Sequence, residues 1–394
     1  MELNPGYKQT EVGVIPEEWD VKRLDDLGLV VRGGSPRPAG DPKYFNGSFI
    51  PWLTVAALTN IPASQLYVSD TVGYLTEEGA KHSRTLQQGT LIIANSGAKT
   101  LGVAKILSVT SCANDGIAAI LNLSEGDKRF LCHYLNSQTQ RLREVVATGN
   151  DQLNLNTTLI RMIAVPFPTD SEQRAIGEAL SDMDALTDAL NQLIAKKRNI
   201  KQGAMQELLT GKKRLSGFSG QWNTRKLGEI TEIKKGQLIT EKDAINGNVP
   251  VIAGGKQPAY YHNKTNRIGK TITISASGAN AGYVAFFDSP IFASDCCTIG
   301  ESAGYVIEFI YQQLILKQDK IHKLQTGGAQ PHVHSSDLAP MELGFPEKKE
   351  QQAIAEILLD MDAEIAALEQ RREKTRLLKQ GMMQELLTGK IRLV

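Results

Sequence analysis

His332 and His334 lie two residues apart, and imidazole pairs are common zinc ligands. No third imidazole or thiolate is close to them in the chain, so the spacing reads as a polar loop rather than a metal site. Ile268-Gly269-Lys270-Thr271 carries the Lys-Thr of a phosphate-cradling loop, but Lys264 stands where the first required glycine belongs. The run Ser277 to Gly282, SGANAG, has closely spaced glycines without the GxGxxG order of a dinucleotide loop. Asp182-Met183-Asp184 and Asp360-Met361-Asp362 offer paired carboxylates, yet residues two apart on a helix point away from each other. They read as charges on a helix face. An adenine-methylating site needs an Asn/Asp-Pro-Pro-aromatic run, and the chain contains no Pro-Pro pair. The expectation is a chain with no catalytic site and no metal.

What the sequence offers in quantity is hydrogen-bonding side chains on Gly-rich loops. Arg32 and Ser35 flank a Gly-Gly pair, Asn95, Ser96 and Lys99 follow an apolar run, and Asn150, Gln152 and Asn154 follow a Thr-Gly pair. Later come Lys235 and Gln237 around Gly236, Lys264 and Arg267, Ser277 and Asn280, and Gln330 with His332. Asn, Gln, Arg and Ser on loops suit the reading of base edges, and the basic members suit phosphate contact, which positions without specifying. These sixteen residues are the candidate DNA-binding set.

The element that must position them is written twice. KKRNIKQGAMQELLTGKKRL from Lys196 recurs as KTRLLKQGMMQELLTGKIRL from Lys374, an offset of 178, with most positions identical. The same offset pairs FPTDSEQRAIGEALSDMDA from Phe167 with FPEKKEQQAIAEILLDMDA from Phe345. Upstream, EEWDVKRLDDL from Glu17 matches GQWNTRKLGEI from Gly220 at an offset of 203, so the first copy carries 203 − 178 = 25 additional residues in between. Within the intervening regions only echoes survive, such as IIANSGAKTLGVAKI from Ile92 against ITISASGANAGYVAF from Ile272. Two similar frames therefore enclose two divergent inserts, which points to different recognition tasks on a shared scaffold.

Each frame segment predicts a long helix, opened after Pro168 or Pro346 by a capping pattern and closed by Gly211 or Gly389. Apolar residues at spacings of three and four predict a coiled-coil seam of Ile176, Leu180, Met183, Leu186, Leu190 and Leu193 on one helix and Ile354, Leu358, Met361, Ile365 and Leu368 on the other. A helix of about forty residues would span roughly 60 Å, the length of a spacer. Both begin acidic and end basic, so antiparallel pairing sets each acidic half against a basic one. Such a pair would place the two inserts in an inverted, pseudo-twofold arrangement. The inserts read as mixed α/β (α+β) domains with twisted sheets, each with one helix, Phe130 to Val146 and Tyr305 to Leu324.

Composition narrows the class. The 394 residues hold 44 Lys+Arg against 43 Asp+Glu, a net charge of +1, so nucleic-acid binding must come from local patches. The four cysteines, 112, 132, 296 and 297, lack metal-ligand or disulfide spacing, which fits a reducing cytoplasm. No stretch of eighteen apolar residues and no amino-terminal leader pattern suggests a membrane or secretion.

With these segments in view, YKQTEVGVIPEEWDVKRL at 7–24, GFSGQWNTRKLGEI at 217–230, the EQRAIGEALSDMDA and EQQAIAEILLDMDA pair and the twin MQELLTGK endings together resemble the specificity subunits of type I restriction–modification enzymes, along the whole chain. The resemblance implies target-recognition domains at 17–167 and 213–344, spacer helices at 168–212 and 345–394, and an amino-terminal segment, 1–16, that makes the repeat a circular permutation with Ile391 to Val394 poised near the start. It further implies that each domain reads half of a bipartite asymmetric DNA site, that the helices set the gap and dock two adenine-N6 methyltransferase subunits, and that motor-nuclease subunits join them. S-adenosylmethionine, ATP and Mg would then belong to the partners, with no cofactor in this chain. The residues alone leave one other reading open, a helical adaptor whose inserts bind protein, which would lack salt-dependent duplex binding.

Overall fold

The computed structural model describes residues 5–69, 71, 73–147, 153–327 and 330–393. Its contacts divide the chain into two compact units, Met1–Gln192 with Glu369–Val394, and Leu193–Leu368. Each unit thus combines one insert with part of both long helices, Asp170–Leu208 and Lys348–Leu386.

The first unit holds a five-stranded sheet in the order Leu29–Arg32, Ile117–Leu121, Leu91–Ala94, Ala104–Leu107 and Tyr67–Val68. A four-stranded sheet follows the order Gly73–Leu75, Phe45–Leu53, Ser111–Ala113 and Arg84–Leu86. Leu91–Ala94 has no polar alternation because both of its faces are covered. Leu91 and Ile93 enter a core with Phe130, Leu131 and Leu135, while Ile92 and Ala94 enter a second with Leu53, Leu58 and Val68. The second unit repeats the central order as Ile233–Lys235, Cys296–Gly300, Thr271–Ser275 and Val284–Phe287. Ile272 and Ile274 feed its main core, whereas Thr271, Thr273 and Ser275 are buried on the opposite face. The additional helix Val55–Thr59 and strand Tyr67–Val68 of the first unit fall in the stretch where the repeat offset shrinks.

The helix expected in each insert is broken in the same place. Lys128–Ser137 ends at Gln138 before the chain continues as a π turn at Leu142–Val146, and Ile307–Leu316 ends at Lys317 before Gln318–His322. Gln138 and Lys317 have ψ of 0° and 14°, too open to carry the helical ladder onward.

Both long helices start on the same clamp. Glu172 and Glu350 are each 1% exposed. Glu172 accepts from Trp19 Nε1 at 3.1 Å and from both arms of the Arg392 guanidinium. Glu350 accepts from Trp222 Nε1 at 3.0 Å and from Arg214 at 2.6 and 2.7 Å. Arg214 and Trp222 are neighbours in sequence, whereas Arg392 and Trp19 come from opposite ends of the chain. The carboxyl terminus is therefore packed on the amino-terminal segment, with Arg392 also on Glu18 and the Tyr7 hydroxyl donating to Gly389 O at 3.2 Å. Gln173 does not complete a capping box. It faces inward, donating to Pro168 O at 2.8 Å and accepting from Asp127 N at 2.9 Å, and Gln351 does the same with Pro346 O and Val306 N. Gly211 and Gly389, both at φ 70°, end the helices in the left-handed region.

The helices run antiparallel within each unit. In the first, Lys379 donates to both oxygens of Asp184 at 2.6 and 2.7 Å, and Arg372 donates to Asn191 at 3.4 Å. In the second, Lys201 reaches Asp362 at 2.6 Å and Lys197 reaches Glu364 at 2.6 Å. Residue numbers rise on one helix as they fall on the other, and acid meets base as the charge pattern requires. The predicted seam needs correction. Ile176, Leu180, Leu190, Ile354, Leu358 and Ile365 are buried, and Met183, Met361 and Leu368 are half-buried. Leu186 and Leu193 are exposed, at 36% and 38%, and Asp184 and Ile194 take buried positions instead. A strict heptad count drifts against a helix of 3.6 residues per turn, so the buried stripe steps sideways by one residue. Asp184 is accordingly a seam residue and not a face charge.

Two outcomes follow. Lys379→Met leaves Asp184 buried without its partner and should lower unfolding stability by about 3 kcal/mol, whereas Lys197→Met at the more exposed pair should cost under about 1 kcal/mol, as measured by urea denaturation. His133, 1% exposed and against Ser181 Oγ at 3.3 Å, has its imidazole pushed down to about 3 by burial, with Lys379, Arg129 and Lys105 adding to the effect. Its neutral form is the folded one, so its stabilisation is complete above the ordinary histidine range near 6.5 and is lost as pH falls toward 3. The second unit places Gln312 at the equivalent position. Between pH 6.5 and 5, the wild type should lose about 2 kcal/mol more than His133→Gln in matched denaturation curves.

Candidate nucleic-acid interface

Two crossings, one per unit, bring together Arg32, Ser35 and Asn95 in the first unit and Lys235, Gln237, Arg267, Ser277 and His332 in the second. In the first, the chain leaves Leu29–Arg32 and passes beneath the segment entering Ile117–Leu121, with Gly33 N donating to Ile117 O at 2.8 Å and Gly34 N to Ala113 O at 2.9 Å. In the second, Gly236 N donates to Cys296 O at 2.8 Å and Gln237 N to Ala293 O at 2.9 Å. A Cβ on Gly33 would lie 2.1 Å from Asn114 O, and one on Gly236 would lie 1.9 Å from Ser294 O. Backbone meets backbone here, so only glycine fits.

An aspartate stands at each crossing. Asp115 Oδ1 accepts from Ser35 Oγ at 2.8 Å, and its other oxygen lies 4.0 Å from Arg32 and 3.9 Å from Arg37. Its backbone carbonyl accepts from Arg32 Nε at 2.5 Å and Asn95 Nδ2 at 3.2 Å. Asp295 accepts from Ser277 Oγ. An arginine braces each first loop, Arg84 of the strand Arg84–Leu86 donating to Arg32 O at 2.7 Å and Arg267, in the segment bridged to Ile291, donating to Lys235 O at 2.8 Å. Arg267 also holds Thr298 Oγ1 and Asn266 O, both at 2.8 Å.

These contacts sort the predicted set. Asn95 is 1% exposed and fixes the loop from inside, so it cannot meet a base edge. Arg267 is engaged in bracing, and its guanidinium is a positioning group. Arg32, Lys99, Lys235, Gln237, Lys264 and Gln330 are exposed, while Ser35, Ser96, Asn154, Ser277, Asn280 and His332 are half-buried. Lys99 is set on its loop by Arg143, which donates to its carbonyl at 2.5 Å. Asn150 and Gln152 lie outside the described residues. His332 bridges to Ser277 and Thr326, and its ring stacks on His334 at 6.1 Å between centroids. Among the described residues no group of three or more His, Cys, Asp or Glu is arranged to hold a metal.

Arg84, Asp115 and Asp295 were missed. For the two aspartates the signal is in the chain, because the offset of 180 that aligns Ile92 with Ile272 also aligns Ala113-Asn114-Asp115 with Ala293-Ser294-Asp295; that offset sets Arg84 against Lys264 and gives no sign of the brace. In the second unit the crossing opens on a cavity of about 200 Å³ lined by Lys235, Leu238, Asp295, Cys296, His332 and His334. Burial pushes the Cys296 thiol up to about 12, so it is no nucleophile at neutral pH. What the loops can do chemically is donate and accept hydrogen bonds from a braced backbone. Among the described residues no helix is long and apolar enough to cross a membrane.

Comparison with known proteins agrees with this architecture. The type I restriction-modification DNA specificity domain matches residues 16–202 and 219–378, most of the chain. The type I restriction enzyme MjaVIII specificity subunit of Methanocaldococcus jannaschii is 24% identical over 96% of this chain and 94% of its own. A second sequence of that archaeon, carrying the MjaX specificity-subunit name, is 25% identical over 98% of this chain and 96% of its own. The crystal structure of the type I restriction-modification S subunit from M. genitalium superposes with a TM-score of 0.70 at 16% identity, covering 98% of both chains, which shows the shared fold. The repeated frame, the two inserts and the domain match together place the chain in the family of type I restriction–modification specificity subunits.

Proposed function

We propose that this chain supplies the DNA sequence preference of a type I complex: each insert reads one half of a bipartite, asymmetric duplex site, the helices fix the gap between the halves, and the helical frame docks two adenine-N6 methyltransferase subunits that motor-nuclease subunits then join. The observation that carries this is the pair of crossings. The same glycine, aspartate and bracing arginine recur in both units, while the exposed residues around them differ. A rigid base with interchangeable tips is what reading two unlike half-sites requires. Cofactor chemistry falls to the partners in this reading, with S-adenosylmethionine on the methyltransferases and ATP with Mg on the motors.

The direct test is single-molecule mapping of adenine methylation in cells holding this chain and its methyltransferase, against cells lacking this chain. A bipartite asymmetric motif that vanishes without the chain is expected. Unchanged methylation would replace this reading with the protein-binding adaptor. Asp115→Ala should relax one half-site and Asp295→Ala the other, each by about 10-fold to 100-fold in methylation preference, the usual worth of a base-pair contact. Removing one heptad from both helices should shorten the gap and leave both half-sites intact.

A further inference from the structure

The two crossings part company two residues after their glycines. The offset of 203 that pairs Gly33 with Gly236 also pairs Ser35 with Leu238. Ser35 is turned inward onto Asp115, whereas in the second unit the hydroxyl on Asp295 comes from Ser277, on a different loop. Position 238 is thereby released from holding the carboxylate. The residue there is a leucine with 79% of its surface exposed, on the rim of the cavity that Lys235, Asp295 and His332 also line.

One exposed leucine is ordinary on a protein surface. This one is set apart by its company. Gln237 immediately before it is exposed, Lys234 and Lys235 precede that, and the loop is pinned by Gly236 N, Gln237 N and Arg267. The tip therefore presents a planar amide, an aliphatic group and cations in sequence on a fixed backbone. In the major groove an A·T pair displays adenine N7 and N6–H₂ beside the thymine 5-methyl, and the matching side chains are an amide for the adenine and an apolar group for the methyl. The lysines suit the flanking phosphates.

We propose that Gln237 and Leu238 together read one A·T base pair of the second half-site, with Leu238 seated on the thymine 5-methyl. This rests on the reading of the second unit as a DNA-binding domain. The first unit, with Ser35 in place of the leucine, makes no such methyl contact, which contributes to the difference between the half-sites.

The test uses the full chain in complex with its methyltransferase subunits and duplexes bearing the mapped site. Thymines of the second half-site are replaced singly by deoxyuridine, which removes only the 5-methyl group. At one position the wild-type complex should bind about 4-fold more weakly, the factor given by burying one methylene-sized group. The Leu238→Ala complex should bind both duplexes alike at that position, and Gln237→Ala should relax the preference for that A·T pair in methylation mapping. A complex that recognises its bipartite site but is indifferent to every uracil, or a Leu238→Ala complex as sensitive as wild type, would overturn the proposal while leaving DNA recognition intact. Loss of sequence-specific methylation by the unaltered chain would instead overturn the underlying reading and this inference with it.

Discussion

A carboxylate with almost no access to water opens each long helix, and the rest of each unit is organised around satisfying it. Taking a carboxylate out of water costs several kcal/mol unless cations and donors replace the lost hydration. Glu172 and Glu350 recover it from a two-armed arginine and an indole N–H. Because the arginine follows the carboxyl end of one helix while the carboxylate begins the other, the clamp forms within a unit only where the start of one helix lies beside the end of the other. It also draws in the tryptophan just before the strand that leads into each insert, Asp20–Arg23 or Asn223–Lys226. In the first unit the clamp joins Trp19, Glu172 and Arg392, residues far apart in sequence, and that unit's stability depends on all three.

The same logic continues along the seam. Asp184 with Lys379 and Asp362 with Lys201 are equivalent pairs, each drawing its acid from the start of one helix and its base from the end of the other. An apolar stripe alone would allow the helices to slide by a heptad. In the first unit the acid, Asp184, is buried and must meet one particular lysine, which forbids the slip, since a shifted register strands the charge. Polar seam residues thus fix register where leucines supply adhesion.

On this frame the sheets present a second repeated device, a glycine that lets one backbone pass within contact of another. The crossing fixes the loops rigidly enough for their tips to vary, as Ser35 and Leu238 do, without disturbing the strands beneath. Arg84 and Arg267 hold the backbone of the first loop in their units, so the bracing is independent of what the tip carries.

The features readable in the chain are those whose physics is local or repeated: two long helices bounded by Pro and Gly, their antiparallel sense from the acid-to-base asymmetry, the doubled frame, and the loops where hydrogen-bonding residues gather. Periodicity and capping depend on neighbours a few residues away, and the repeat doubles every such signal. Tertiary structure decided what depends on residues far apart in the chain. Leu186 and Leu193 carry the right spacing for the seam yet are exposed, because the helical pitch carries the contact stripe past them to Asp184 and Ile194. Asn95, with the chemistry of a base reader, is buried beneath Asp115, and Arg267 is consumed in bracing. Residue type announces what a side chain can do, but which face it occupies is set by the sheet packed behind it. That is why the frame was legible in the chain, while the division of the loop residues into braces and exposed tips emerged only from the folded crossings.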